Sequence, residues 1–253
     1  MSSSLKYFVG NWKMFGIPSS IKILDKINSY FLKDKKNNKK YKILIAPPLT
    51  LIQDFSKKYR NKKILISAQN CFYKDKFGSY TGSVSPYMIK NVGVKYIIIG
   101  HSENRAQGET NKIIKEKVLL SLKNNFTVLL CIGENINEKN KKLTSKVLNS
   151  QLRNVLKKNY NFKKIIIAYE PVWSIGSGKT PTNNELTKTI LSIRKFLKNS
   201  LKTKEHIKIL YGGSVDKKSI NYFKSIKHLD GFLIGGASKS SKNFIDIIKN
   251  FYK

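Results

Sequence analysis

One carboxylate lies between an apolar run and a segment that has the composition of a lid. Glu170 ends the run and is followed at once by Pro171, which cannot continue a central strand. Pro171 and Pro181 fix the two ends of the next segment, whereas Gly176 and Gly178 let its centre bend and expose backbone N–H groups. A carboxylate that can carry a proton, followed by a hinged loop, indicates an enzyme that closes over its substrate.

Amide, amine and imidazole groups follow other apolar runs. Asn11 and Lys13 come directly after the first run, and their proximity predicts a fixed positive charge beside an amide. His101 follows the fourth run and opens the next helical segment. A helix N-terminus favours a neutral imidazole that can donate a hydrogen bond. A surface ammonium and a structural histidine are the alternative interpretations of Lys13 and His101.

Two glycine pairs, at 212–213 and 235–236, follow the last two runs. The second pair precedes a helix predicted to begin near Ser238 or Lys239. Bare N–H groups at a helix N-terminus form an anion site, and barrel enzymes often place phosphate in the loops after strands seven and eight. The pattern therefore predicts a phosphate site, although a tight strand-to-helix turn would also explain the glycines.

The elements that would position these groups alternate in type. Eight short apolar runs recur along the chain, and the composition of several is typical of strands buried on both faces. Amphipathic segments separate them. Examples are the segments with apolar stripes at Leu24, Ile27 and Leu32, at Leu148 and Leu152, and at Leu186 and Ile190. Strand followed by helix, repeated eight times, predicts a single α/β domain over residues 1–253: a parallel eight-stranded (β/α)8 barrel with outer helices. A doubly wound open sheet is the alternative. The predicted strands are 7–10, 41–46, 63–68, 96–100, 127–131, 164–168, 207–211 and 231–235.

The charge balance is strongly basic, with 49 Lys and Arg against 15 Asp and Glu and a net charge of +34. A nucleic-acid-binding protein or one that binds a membrane surface would have such a balance. The lysines are spread over the whole length, however, which favours a compositional bias with lysines on solvated helix faces. We expect no specific nucleic-acid partner and no membrane partner, although the positive field would attract a small anionic substrate.

The remaining composition indicates a cytoplasmic protein. Cys71 and Cys131 are too few for a disulfide framework, and Cys131 lies in an apolar run that predicts a buried thiol. Residues 1–6 lack the apolar region of a signal peptide, and no apolar run reaches the length needed to span a bilayer. No group of ligands has the spacing of a metal site, so we predict none.

These chemical groups lie in segments that resemble the triosephosphate isomerase family over essentially the whole chain, and their order is highly specific. The similar segments are Gly10–Met14, Ala68–Asn70, Ile99–Glu103, Cys131–Glu134, Tyr169–Trp173, Tyr211–Val215 and Gly235–Ser238. The resemblance implies a TIM barrel that interconverts dihydroxyacetone phosphate and D-glyceraldehyde 3-phosphate in glycolysis and gluconeogenesis, without a cofactor. It also implies a homodimer in which the loop between residues 69 and 82 docks near Lys13 of the other copy.

The resemblance also implies a role for each residue. Glu170 would move a carbon-bound proton, while Lys13, His101 and Asn11 would stabilise the enediolate that results. Glu103 would hold Lys13. The phosphate would be bound by Gly176, Ser214, Gly235 and Gly236. The segment 171–181 would close over the substrate, supported by Tyr211.

Three positions depart from the family pattern. The family commonly has alanine at Pro181, and its N–H bonds the tyrosine at position 211 when the loop is closed. Proline has no N–H, so we expect this contact to be absent and closure to depend more on Ser214. Ser83 and Asn104 replace an acid and an arginine that tend to pair near the family's dimer interface, and we expect an adjusted but intact dimer. A different phosphate-binding barrel enzyme and a basic nucleic-acid-binding protein remain the competing hypotheses.

Overall fold

The computed structural model describes residues 5–253. The expectation that residues 1–6 lack the apolar region of a signal peptide falls partly on residues 1–4, which lie outside the described residues. Eight parallel strands pair in chain order, and the last pairs with the first to close a barrel. The prediction of a closed barrel is confirmed, and the open sheet is wrong. The strands are β1 Lys6–Asn11, β2 Tyr41–Ala46, β3 Ile64–Ala68, β4 Tyr96–Ile99, β5 Thr127–Ile132, β6 Ile165–Tyr169, β7 Lys208–Tyr211 and β8 Gly231–Ile234.

Helices surround the barrel and connect successive strands. Within residues 5–253 the α-helices are α1 Ile21–Lys33, α2 Leu49–Tyr59, α3 Pro86–Asn91, α4 Ser102–Ala106, α5 Asn111–Lys123, α6 Ile136–Asn140, α7 Thr144–Val155, α8 Asn183–Leu201, α9 Ile220–Phe223 and α10 Ser241–Tyr252. Short 3₁₀ helices lie at Pro18–Ser20, Phe162–Lys164, Val172–Ser174 and Gly236–Lys239. None of the helices in the described part of the chain combines the length and the apolar character needed to cross a membrane.

The strands are apolar throughout because both of their faces are buried. Val9, Leu44 and Leu129 pack with one another inside the barrel, whereas the alternating Phe8 and Ile43 pack outward against the helices. Side chains of a strand point to opposite faces in alternation, so neither face of these strands meets water. Continuous apolar strands of this kind are typical of a parallel sheet that helices cover.

Two sequence-based expectations need correction. The predicted stripe of α1 includes Leu32, but that side chain is 55% exposed, and Phe31 lies in the core instead. Leu24, Ile27 and Phe31 keep the helical spacing of three and four residues. The helix after the second glycine pair begins at Gly236, earlier than the predicted Ser238, so this glycine belongs to its first turn.

Parallel pairing places the carboxyl ends of all eight strands on one rim. Asn11 is the last residue of β1, and Glu170 follows β6 directly. His101 and Ser214 come within a few residues of the ends of β4 and β7, and Gly235 follows β8. The barrel therefore brings together side chains that are far apart in sequence.

Candidate active site

The Glu170 carboxylate lies buried at the rim, with its residue 2% exposed. Its Oε1 is 3.2 Å from Nε2 of His101, and its Oε2 accepts a hydrogen bond from the N–H of Ser102 at 3.3 Å. Burial raises the pKa of Glu170 above its usual value, while the neighbouring His101 and the Ser102 N–H oppose that rise. The carboxyl is thus placed to gain and lose a proton closer to neutrality than an exposed glutamate.

Two glycines make room for this carboxylate. A Cβ on Gly133 would lie 1.8 Å from the backbone oxygen of Glu170. A Cβ on Gly212 would lie 2.7 Å from the Glu170 Cγ. Only glycine allows such close approach, so both residues fix the position of the glutamate. No pattern in the sequence marked either glycine for this role, because their close approach to Glu170 crosses between strands.

The contacts of His101 define its tautomer. Its Nδ1 accepts a hydrogen bond from the N–H of Glu103 at 3.2 Å, so this nitrogen carries no proton. The proton of a neutral ring is then on Nε2, which faces Glu170. His101 is the N-cap of α4, as its position at the start of a helical segment predicted.

Lys13 lies on the same rim and is held from two sides. Its Nζ is 2.6 Å from Oε1 of Glu103, and its backbone N–H donates to Oδ1 of Asn11 at 3.1 Å. Its φ is +55°, a left-handed conformation that non-glycine residues rarely adopt. The amide of Gln69 supports this backbone by donating to the Lys13 carbonyl at 2.9 Å. Burial is the largest single influence and would raise the pKa of Glu103. The hydrogen bond and charge of Lys13, together with electrostatic contributions from His101 and Lys239, outweigh it and hold that pKa below its usual value.

The glycine-containing loops after β6, β7 and β8 lie on the same rim. Gly235 lies beside Lys13, because a Cβ on it would approach the Lys13 Cε to 3.5 Å. Gly236 is exposed and opens a 3₁₀ helix, where the first N–H groups have no partner within the helix. Ser214, after β7, accepts at Oγ from the N–H of Gly178 at 3.3 Å. Gly176 lies exposed at the middle of the lid with φ +67°.

The segment 171–181, called the lid below, is buried at both ends and exposed between residues 176 and 179. At its first end the indole N–H of Trp173 donates to Glu134 at 3.0 Å, and the Tyr169 hydroxyl donates to the same oxygen at 3.1 Å. Burial raises the pKa of Glu134, although these two donors oppose the rise. The ammonium of Lys139 lies 3.5 Å from the centre of the Trp173 ring, a cation–π contact.

At its other end the lid reaches Pro181, which is buried and offers no N–H. The hydroxyl of Tyr211 instead lies 3.0 Å from Oγ of Ser174. Ser174 was not among the residues predicted to act in the site. Its position inside the lid was visible in the sequence, but its contact with a residue of another strand was not.

Comparison with known proteins agrees with this geometry. The family model described as triosephosphate isomerase matches residues 6–251. The chain belongs to the triosephosphate isomerase family. It is therefore an isomerase, and the prediction that it interconverts dihydroxyacetone phosphate and D-glyceraldehyde 3-phosphate is confirmed.

Individual relatives match over nearly the whole length. The triosephosphate isomerase of Thermoanaerobacter sp. (strain X514) is 37% identical over 246 residues, covering 94% of this chain and 96% of the relative. That of Thermodesulfovibrio yellowstonii is 38% identical over 247 residues, covering 96% and 98%. The crystal structure of triosephosphate isomerase from Bartonella henselae has a TM-score of 0.87 and 32% identity, covering 98% of this chain and 99% of that one.

Proposed function

We propose that Glu170 is the proton carrier of this triosephosphate isomerase. Its ionised carboxylate removes a proton from the carbon next to the substrate carbonyl, which produces an enediolate, and returns that proton to the neighbouring carbon. The observation that carries this role is the buried carboxylate 3.2 Å from the imidazole of His101. The raised pKa of Glu170 makes the group a stronger base than an exposed glutamate. A glutamate base paired with a neutral histidine is the known pattern of this enzyme family, and the assignment follows it.

Lys13, His101 and Asn11 stabilise the enediolate in this proposal. The ammonium of Lys13 offers a fixed positive charge, and the Nε2 proton of His101 is available to a substrate oxygen once the carboxylate engages carbon. Asn11 is 5% exposed and its Oδ1 accepts from the Lys13 N–H, which leaves its amide NH₂ as a donor. Preorganised donors of this kind lower the barrier where charge develops. Glu103 positions Lys13 through the 2.6 Å ion pair.

Backbone N–H groups of Gly176, Ser214, Gly235 and Gly236 bind the substrate phosphate. This assignment is supported by their meeting on one rim, after the strands where barrels commonly bind phosphate, and by the exposed first turn at Gly236. The Ser214 N–H makes a long contact of 3.3 Å to Ser174 Oγ, and a phosphate oxygen can share this N–H in a bifurcated bond. The lid closes over the bound substrate and excludes water.

The replacement Glu170→Gln tests the assignment. It removes the base while keeping a side chain of nearly the same size, so we expect turnover of D-glyceraldehyde 3-phosphate in a coupled assay to fall by about 10²–10⁴-fold. Circular dichroism should show the fold retained. Glu205→Gln is the matched control, because Glu205 is exposed and precedes β7 at the opposite rim, and it should keep normal turnover. Near-normal turnover of Glu170→Gln would overturn the proposed role.

The enzyme is proposed to act as a cytoplasmic homodimer built from one domain per chain. Large apolar side chains in the loops after β1 and β3 are exposed, with Met14 98% and Phe77 77% accessible. Tyr73 and Tyr80 in the same loop as Phe77 are partly exposed as well. Such a concentration of exposed apolar groups is typical of an interface, and it coincides with the loop that family resemblance assigns to the partner contact.

A further inference from the structure

A buried hydroxyl in the lid has no role in the proton transfers above. Ser174 is the last residue of the 3₁₀ helix at Val172–Ser174 and is fully buried. Its Oγ contacts the carbonyl oxygen of Lys179 at 2.5 Å, the hydroxyl of Tyr211 at 3.0 Å and the N–H of Ser214 at 3.3 Å. The Ser174 side chain therefore contacts Lys179 near the other end of the lid. It also contacts Tyr211 at the end of β7 and Ser214 just after that strand.

The chemistry of these partners fixes the direction of each hydrogen bond. The Lys179 carbonyl can only accept, so the single proton of Ser174 goes to it. The Ser214 N–H can only donate, and the Tyr211 hydroxyl must then donate to Ser174 as well. A serine hydroxyl has one proton and two lone pairs, so these three bonds use its full capacity. Burial raises the pKa of Tyr211 well above its usual value, which keeps the phenol protonated as a donor.

The same residues are joined by two further bonds. The Oγ of Ser214 donates to the carbonyl oxygen of Ser174 at 2.6 Å, and the N–H of Gly178 donates to the Oγ of Ser214 at 3.3 Å. Both limbs of the lid are thus tied to each other and to the segment after β7. We call Ser174, Lys179, Tyr211 and Ser214, with these bonds, the hydroxyl network.

The backbone beside the network is shaped to allow it. A Cβ on Gly213 would lie 2.2 Å from the Tyr211 hydroxyl and 2.6 Å from the Ser174 Oγ, so only glycine leaves these oxygens in contact. Pro181, at the lid's second end, offers no N–H to the Tyr211 phenol. The phenol is fully buried and needs a partner, and Ser174 is the partner it has.

We propose that Ser174 is a positioning residue that holds the lid closed over the substrate by joining its two limbs to Tyr211. This inference rests on the proposed function, because a closed lid matters only if the enediolate forms beneath it. An open lid would admit water and let the intermediate expel its phosphate as inorganic phosphate, leaving methylglyoxal. Ser174 would then determine the ratio of isomerisation to phosphate loss as well as the rate.

The test compares Ser174→Ala, Tyr211→Phe and the double variant. Each single change deletes one oxygen of the network and leaves buried polar groups without a partner. Such a loss typically changes the affected rate or equilibrium constant by a factor of about ten. We expect Ser174→Ala to lower kcat about tenfold and to raise inorganic phosphate released per isomerisation about tenfold. Because both residues act in one bond, the double variant should be no worse than the poorer single variant. Binding of 2-phosphoglycolate, measured by calorimetry, should weaken about tenfold in Ser174→Ala.

Ser29→Ala is the matched control, since the Ser29 hydroxyl bonds only the Asp25 carbonyl within α1. It should leave the phosphate-to-isomerisation ratio unchanged. An unchanged ratio in Ser174→Ala, or effects of the two single variants that multiply in the double variant, would overturn the proposal. A loss of melting temperature without a change in that ratio would show a structural role only and would overturn it too. If Ser174→Ala is silent while Glu170→Gln is inactive, only the lid proposal fails; if Glu170→Gln remains active, the proposed function fails.

Discussion

At the scale of single residues, Glu170 combines burial with a small set of opposing contacts. Burial disfavours the charged carboxylate, while His101 and the Ser102 N–H favour it. The balance leaves the pKa of Glu170 raised, which suits the proton carrier proposed for this position. Gly133 and Gly212 keep Glu170 in this environment, because any larger side chain at either position would displace the glutamate backbone or its Cγ.

The raised pKa of Glu170 can be measured directly. A titration of ¹³C-labelled glutamate carboxyl carbons by NMR should show the Glu170 signal with a midpoint above the usual 4.5, as for the buried Glu134, and only the Glu170 signal should be missing in Glu170→Gln. Between pH 4.5 and the pKa of Glu170 in the folded protein, the folded state then binds more protons than the unfolded state. The contribution of Glu170 to the free energy of unfolding is therefore fully present below 4.5 and is lost as pH rises through the folded pKa.

Asp216 is the control for the direction of this pKa shift, because its own pKa is shifted in the opposite direction. The pKa of Asp216 is lowered, chiefly by the N–H of Ser219, so its carboxyl signal in an aspartate-labelled sample should titrate below the usual value near 3.8. Its contribution to stability is present above that value and is lost as pH falls through the folded pKa. A Glu170 midpoint at or below 4.5 would contradict the inferred environment.

At the scale of elements, the N-terminus of α8 decides where the lid ends. Thr182, the residue after Pro181, is the N-cap of α8, and its hydroxyl accepts from the Glu185 N–H at 3.2 Å. The Glu185 carboxylate accepts in turn from the Thr182 N–H at 2.7 Å. These reciprocal bonds form a capping box. It fixes the second hinge of the lid to a rigid helix of 19 residues.

Thr182→Ala should lower the free energy of unfolding by about 1 kcal/mol, because the Glu185 N–H and one turn of α8 lose their cap. Urea denaturation measures the change. Thr187→Ala is the control within the same helix, where the backbone N–H groups are already bonded and alanine has the better helix propensity. Equal losses in both variants would show that the capping hydroxyl contributes nothing specific.

At the scale of the whole molecule, barrel closure places the site at one rim and leaves the loop after β3 exposed beside it. Phe77 lies on that loop, 77% exposed, with its ring 5.6 Å from the ring of Tyr87. A large apolar group this exposed favours association. The net charge of +34 acts at the same scale: it opposes self-association by repulsion, yet it attracts an anionic triose phosphate to the site.

The proposed homodimer predicts a defined response to Phe77→Glu. Light scattering at micromolar concentration should give about twice 29.0 kDa for the unaltered protein and 29.0 kDa for the variant, because a charge in an apolar contact is expensive to bury. Tyr222→Glu is the control, since Tyr222 is 53% exposed on α9. It should leave the mass unchanged. A monomer before any substitution would exclude the proposed dimer.

Sequence patterns alone predicted much of the molecule. Continuous apolar runs such as Ile165–Ile167 indicated strands buried on both faces, and the alternation of strand and helix predicted the barrel. The order of strands then placed Asn11, His101 and Glu170 on one rim, because parallel strands end on the same side. These inferences depend on local composition and on chain order, which one sequence contains in full.

Only the tertiary structure decided the contacts between strands. The approach of Gly133 to the Glu170 backbone, and the meeting of Ser174 with Tyr211, join residues from different elements. Such contacts depend on register and on the rotation of each side chain about the barrel, and neither leaves a periodic mark in the sequence. The loss of an N–H at Pro181 could be read from the chain, whereas the hydroxyl that meets Tyr211 in its place became visible only when β7 and the lid were packed together.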